Sequence, residues 1–567
     1  MREMLHATSD DNIGSELMSA AQPQSAKNPD RCDVVVVGAG FAGMYMLHKL
    51  RGLGLTAIVC EQGGDVGGTW YWNRYPGARC DVESMQYSFS FDDKLQQEWD
   101  WSERYAPQPE ILRYAGHVAD RFDLRRDIRF DTIVQSAAFD EHHRRWTVTT
   151  STGTAVAQYV VLATGCLSNA RMPDINGLAD FQGKVYHTGH WPHHPVDFTG
   201  LRVGVIGTGS SAIQSIPVIA AQASQLTVFQ RTANFSVPAR NAPLTDDERR
   251  RWRADYPELR RRAREDMKNG IVQPVPDRGA LDDPDDVRRQ KFEARWSSGG
   301  LTFMGVYNNL ALDQAANDTA ANFIREKIAG IVEDPQTARL LQPDNHPVGS
   351  KRICVDTDYY ATFNRPNVVL VDIRSHPIER IGAHAVRSGG TDYEVDALVF
   401  ATGFDAMTGS VAKIDIRGRD GQALNDKWAE GPRTYLGLMS AGFPNLFMVT
   451  GPGSPSVLSN MIVSIEQHVD WIADCIAYLR DRGVEAIEAT RDAEDKWVAH
   501  VNDVAHGTLY PQANSWYMGA NIPGKPQIFM PYIGGVGVYR QICNDVAAKD
   551  YEGFAMTAAA QPKAAAG

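Results

Sequence analysis

Two kinds of apolar pattern alternate along the chain. Short runs rich in β-branched residues, too short for a buried helix, predict strands at 32–37, 57–60, 160–163, 202–206, 226–230, 368–372 and 397–401. After two of them, 32–37 and 202–206, a cluster of glycines leads into residues whose apolar positions recur at helical spacing, so that strand, tight turn and helix follow one another twice. From about 243 to 340 helical spacing and charge dominate, which predicts a helical insertion. Residues 1–30 are polar without an apolar period and 556–567 are alanine-rich; both read as flexible tails.

The glycine clusters carry the first chemistry. Gly38-Ala39-Gly40-Phe41-Ala42-Gly43 follows one apolar strand and opens the helical pattern 44–53; Gly207-Thr208-Gly209-Ser210-Ser211-Ala212 follows the other. Such spacing serves a tight turn, close approach of backbone amides to a pyrophosphate, and close packing of helix on strand, with the helix N-terminus facing the phosphates. The next strand of the first copy ends in Glu61, 23 residues after Gly38, where a carboxylate accepts hydrogen bonds from a ribose; the second ends in Arg231, 24 residues after Gly207. An arginine there forks onto a 2′-phosphate, which NADPH has and NADH lacks. One acidic and one basic site predict a tightly held FAD and a dissociable NADPH that reduces it, in an α/β fold with two Rossmann-like dinucleotide-binding domains and a helical insertion. The expected boundaries are 31–168 with 396–555 for FAD, 169–242 with 341–395 for NADP, and 243–340 for the insertion.

Composition narrows the partners. A chain of 567 residues exceeds one hydrophobic core, and 43% hydrophobic with 22% charged residues is a soluble, multidomain balance. The formal charge of -12 argues against nucleic acid, and the basic stretch 249–264, interleaved with acids and aromatics, reads as a solvated helix face without a partner. Seven scattered cysteines, with no C-x-x-C pair and no metal-ligand spacing, fit a reducing compartment; no segment reaches the length of a membrane span, and the N-terminus lacks a signal peptide's apolar core. A cytoplasmic enzyme is expected, its oligomeric state open and a monomer compatible with it. The missing cysteine pair also argues against a flavin disulfide reductase.

Two further motifs specify the chemistry. Phe181-x-Gly183-x-x-x-His187-x-x-x-Trp191-Pro192 resembles the fingerprint of the Baeyer-Villiger monooxygenases at every fixed position, and Gly67-Gly68-Thr69-Trp70, Tyr75-Pro76-Gly77 and Asp81 resemble a second pattern of that family. The likeness runs from about 33 to 554 and is closest to the phenylacetone and steroid monooxygenase branch. It implies conversion of aryl, cyclic or steroid-like ketones to esters or lactones with O2 and NADPH, through a C4a-peroxide of the flavin. Flavin-dependent N- and S-oxygenases usually lack the Trp-Pro ending; such an oxygenase, an uncoupled NADPH oxidase and a non-catalytic flavin-binding protein are the alternatives.

The resemblance also assigns residues. Arg352 supplies a fixed positive charge over the flavin, because a guanidinium does not deprotonate, and Asp81 pairs with it. Lys351 joins Arg231 and Thr232 at the 2′-phosphate, while Thr208, Gly209, Ser210 and Ser211 cradle the pyrophosphate, with Arg79 near the nicotinamide half and Trp516 on the cofactor. On the flavin side stand Gly38, Gly40, Ala42, Gly43, Glu61, Thr69, Trp70, Trp72, Asp81, Tyr87, Val134 and Met461. Cys166, Leu167, Ser456, Val457 and Leu458 fall at substrate-pocket positions. His187 is read as organising the link between domains, and the strand-end segments Ala163-Thr164-Gly165 and Ala401-Thr402-Gly403 as lying near the interdomain crossings.

Overall fold

The computed structural model describes residues 28–558. The expected N-terminal tail lies outside them up to 27. The strand Phe554–Ala558 pairs antiparallel with Val484–Ala489, so residues 556–558 of the expected 556–567 tail belong to a strand, and 559–567 lie outside the described residues.

Two sheets organise the chain. In the first, Asp30–Val37 runs parallel to Ala57–Cys60 on one side and to Gly153–Leu162 on the other. Residues Val34 to Val37 are buried, as a strand flanked by parallel neighbours and covered on both faces must be, which is why the segment reads as a continuous apolar run. The antiparallel strands Val134–Asp140 and Arg145–Thr150 extend this sheet, and Leu446–Met448 returns from far along the chain to pair with Gly153–Leu162. Helix Phe41–Gly52 packs against helix Met461–Asp481, where the Tyr45 hydroxyl donates to Asp470 Oδ1 at 2.7 Å.

The second sheet is wholly parallel, in the order Val368–Asp372, Gln225–Gln230, Arg202–Ile206, Ala397–Phe400, Lys184–His187. Here the structure moves one expected boundary. Ala397–Phe400 is an inner strand of this sheet, so the return to the first sheet follows it, at Ala401-Thr402-Gly403, instead of preceding 396. An apolar ALVF run looks the same in either sheet.

The stretch 243–340 is helical, with Asp246–Glu265, Asp285–Ser298, Gln314–Ile331 and the start of Pro335–Leu341. Its aromatic residues divide between two cores. Phe292, Phe303 and Phe323 join the core of the second sheet, whereas Tyr256 joins that of the first. The first helix also corrects the reading of 249–264 as a solvated face. Arg260 is only 7% exposed and donates to Gln86 O at 3.1 Å, Ser88 Oγ at 2.7 Å and Gln96 Oε1 at 3.0 Å, so the first sheet's domain holds one cation of that run as an anchor. Other members behave as a solvated face does, Arg250 pairing with Asp247 and Arg261 with Glu258. All seven cysteines are free thiols. Among the described residues there is no cluster able to hold a metal ion and no helix long and apolar enough to cross a membrane.

Candidate active site

Both glycine turns end at one cavity of about 1360 Å³ between the sheets. The two copies are built alike at the turn. Gly38 has φ +102°, and a Cβ there would stand 2.6 Å from the carbonyl oxygen of Ala163; Gly207 has φ +111°, and its Cβ would stand 2.5 Å from that of Ala401. The Ala-Thr-Gly segments are therefore the surfaces against which each first glycine turns, and both positions exclude a side chain sterically as well as conformationally. The helices that follow start at Gly40 and Gly209, which offer no capping side chain, and neither carries an acid in its first turn. Their leading N–H groups and positive dipole ends are left for an anion.

Around those turns the cavity wall leaves polar groups unpaired. Asn234 Oδ1, Ser515 Oγ and Asn521 Oδ1 are buried without a hydrogen-bond partner, and all three residues line the cavity. Unpaired polar atoms at a wall of this kind suit a large polar ligand. Glu61 is buried; its Oε2 accepts the Ala39 N–H at 2.6 Å and its Oε1 the Gly63 N–H at 2.7 Å. Burial raises its pKa, with those backbone bonds opposing. A carboxylate has about four acceptor positions, so two remain at the wall for a ribose. In the second copy Arg231 is exposed, and Lys351 is held below the ordinary lysine range by burial first and by the Arg231 charge second. Two cations close enough to oppose one another's charge are the arrangement that a 2′-phosphate relieves.

The structure brings nearly all of the expected residues to this one cavity. Gly38, Gly40, Ala42, Glu61, Thr69, Trp70, Trp72, Tyr87, Val134 and Met461 line its first-domain side, and Thr208, Gly209, Ser210, Ser211, Arg231, Thr232 and Lys351 its second. Arg79, Asp81, Arg352, Trp516, Cys166, Leu167 and Val457 line it as well. Gly43, Ser456 and Leu458 do not. Gly43 packs its α-carbon against the Gly38 carbonyl, while Ser456 is buried behind the wall with its Oγ 3.0 Å from Cys166 Sγ. Some side chains are already engaged within the protein. The Thr208 hydroxyl donates to the Thr232 carbonyl at 2.7 Å, and the Arg79 guanidinium is bound to Glu103 at 2.8 Å and to the Tyr105 carbonyl at 2.7 Å. His187 accepts the Gly189 N–H on Nδ1 at 2.9 Å and lies with Nε2 3.0 Å from the Arg171 carbonyl, so both ring nitrogens are engaged within the protein.

At the centre stands an ion pair. Arg352 Nε donates to Asp81 Oδ2 and Nη2 to Asp81 Oδ1, both at 2.8 Å, and Nη1 donates to the Val457 carbonyl at 2.9 Å. Burial alone would lower the arginine's pKa; the Asp81 charge and hydrogen bonds more than reverse it, so the cation is fixed. Beside it lies an apolar wall in which Cys166, Leu167, Val457, Met461 and Trp516 line the cavity, with Met407, Tyr517, Phe529 and Met530 packed behind them. Sequence reasoning gave no site role to Gln214, Tyr75, Asn234, Ser515 and Asn521, which also line the cavity. For Gln214 a signal existed, since it lies four residues after Ser210 and hence on the same helix face.

Two uncapped dinucleotide turns converging on one guanidinium–carboxylate pair define a two-nucleotide flavoprotein oxidoreductase. Residues 35–245 match the family described as pyridine nucleotide-disulphide oxidoreductase. The chain is 44% identical to a phenazine N-monooxygenase of Lysobacter antibioticus, over 92% of this chain and 96% of that one. It is 43% identical to a Baeyer-Villiger monooxygenase of Pseudooceanicola batsensis, over 92% and 95%. A solved oxidized steroid monooxygenase bound to NADP superimposes with a TM-score of 0.90 at 54% identity, covering 93% of this chain and 100% of that one. The chain belongs to the Baeyer-Villiger monooxygenase family.

Proposed function

We propose that the protein is an FAD- and NADPH-dependent monooxygenase that converts a ketone, NADPH, a proton and O2 into an ester or lactone, NADP⁺ and water. The observation that carries the reading is the Arg352–Asp81 pair, set between the two dinucleotide turns with its remaining N–H groups free. Of five guanidinium donors, three are engaged, on Asp81 and Val457, which leaves two for an oxygen anion. FAD, when bound, accepts hydride from NADPH and activates O2. The residues do the rest. The first turn and Glu61 hold one dinucleotide, the second turn with Arg231 and Lys351 holds the other, and Arg352 stabilises negative charge on oxygen where the apolar wall limits water.

On its cavity side that wall presents the Cys166 thiol, the Met461 thioether, the Trp516 indole and the aliphatic Leu167 and Val457, which favours an uncharged aryl, cyclic or steroid-like ketone. The seven free thiols support a cytoplasmic setting, and the reading works with a monomer, since every group named comes from one chain. A second reading, oxidation of a ring nitrogen, is favoured by the phenazine N-monooxygenase among the relatives. The deciding experiment supplies NADPH and O2 with a ketone and an aromatic N-heterocycle in competition and identifies the products. Ester as the main product supports the first reading, and N-oxide as the main product replaces it with the second.

A further inference from the structure

The Tyr75-Pro76-Gly77 motif is the part of the sequence pattern that the reaction leaves without a role. In the structure this turn leaves the first domain and presses on the second. Gly77 has φ +80°, and a Cβ there would stand 2.3 Å from the Gln214 carbonyl oxygen and 3.1 Å from Val218 Cγ2, both on helix Ser210–Gln222. Only a glycine lets the backbone approach that closely. The contact is then tied by one side chain. Gln214 Oε1 accepts the Tyr75 hydroxyl at 2.8 Å and, more weakly, the Arg79 N–H at 3.4 Å, while its Nε2 donates to the Arg79 carbonyl at 3.1 Å. Its amide thus grips both backbone groups of a residue two positions before Asp81.

The partner of Asp81 is moored to the same helix. Arg352 lies two residues before Cys354, which opens the strand Cys354–Asp356, and the Cys354 thiol shares a hydrogen bond of 3.2 Å with Ser210 Oγ. Ser210 and Gln214 are one turn apart on one helix face. Both arms of the ion pair are therefore fastened to the helix whose N-terminus faces the NADP site, although Asp81 comes from the first domain. Resting on the function proposed above, the geometry points to Gln214 as a positioning residue: through Arg79 it sets Asp81, and through Asp81 the direction of the Arg352 guanidinium, relative to the NADP-binding end of the helix.

The test is the fraction of consumed NADPH recovered as ester instead of hydrogen peroxide, measured per bound FAD. Gln214→Met keeps the volume and removes the amide, and it is expected to lower that fraction about ten-fold while the protein still holds FAD and is reduced by NADPH. Tyr75→Phe removes one hydroxyl and gives a smaller loss in the same direction, which keeps the test open should the first variant fold poorly. In Gln214→Glu a protonated carboxyl offers both an acceptor and a donor as the amide does, so its coupling relative to the parent recovers as pH falls. A role confined to stability would lower FAD content and melting temperature and leave coupling per FAD unchanged. Parental coupling in both Gln214→Met and Tyr75→Phe overturns the inference alone. A parent protein that consumes NADPH with ketone present and makes no ester overturns the functional reading and this inference with it.

Discussion

The two glycine turns are near copies whose strand-end residues differ in kind, and under the function proposed above the difference separates a ligand that stays from one that leaves. At the first turn Glu61 is buried and stitched to Ala39 and Gly63, so the carboxylate is fixed in its own loop. At the second, Arg231 is exposed and Lys351 is kept below the ordinary lysine range by burial and then by that neighbouring charge. A preformed, buried acceptor suits a dinucleotide held through many turnovers. An exposed cation opposed by another pays part of its repulsion back only when a dianion arrives, which suits one that exchanges.

The sharpest test of this contrast removes what both sites serve. Arg352→Ala is expected to leave FAD binding and its anaerobic reduction by NADPH intact and to lower ester formation by at least about 10²–10³-fold, the scale on which loss of a preorganised charge on oxygen is felt. Product analysis by chromatography beside stopped-flow reduction reads both halves. Ester formation within a few-fold of the parent would end the assignment of Arg352.

Matched substitutions at the turns break the symmetry directly. Gly38→Ala and Gly207→Ala each place a methyl group against an Ala-Thr-Gly carbonyl at a positive φ, a strain of about 1–3 kcal/mol before any shift. Gly38→Ala is expected to yield protein depleted of FAD. Gly207→Ala should stay yellow while its KM for NADPH rises about ten-fold or more. Identical behaviour in the two variants, judged by FAD absorbance and NADPH titration, would refute the division of labour between them.

These turns were the most legible part of the sequence because backbone approaching phosphate requires particular residues at particular positions. Gly38 and Gly207 each turn against an Ala-Thr-Gly carbonyl, and the acid or base ending the next strand is what the expectation of a ribose diol at one site and a 2′-phosphate at the other rests on. The chain was opaque where a residue's role depends on what packs beside it. Arg260 reads like its neighbours in a run of charges, yet it is buried because residues 86–96 of the other domain present acceptors to it. The strand Ala397–Phe400 fits either sheet by its apolarity, and only pairing decides. Gln214 was hidden for a third reason: helical spacing places it on the Ser210 face, but nothing in the sequence links it to its partners, the backbone of Arg79 and the Tyr75 hydroxyl.

A smaller effect is expected from the 2′-phosphate clamp itself. Arg231→Ala should raise the KM for NADPH about 10–100-fold, the range of one or two charge-assisted hydrogen bonds, and leave that for NADH within about two-fold. Equal rises for both cofactors would mean that Arg231 meets a part they share.

The mildest prediction uses Lys351 as a reporter on Arg231. The phosphate is dianionic above its own pKa of about 6, so at neutral pH and beyond, the titrating partner in the complex is the lysine. Burial and Arg231 hold that lysine's pKa down in the free protein, and a bound dianion favours its charged form; binding NADPH therefore takes up a proton once pH approaches the lowered pKa. The sign follows: the KM for NADPH rises with pH through that region, by at most about ten-fold per unit for one proton, while the KM for NADH stays level. Because Arg231 is one of the two causes, Arg231→Ala should move the rise to higher pH, and Lys351→Met should abolish it. A slope that survives Lys351→Met, or one that NADH shares, would remove Lys351 from phosphate recognition and leave Arg231 as that site's cation.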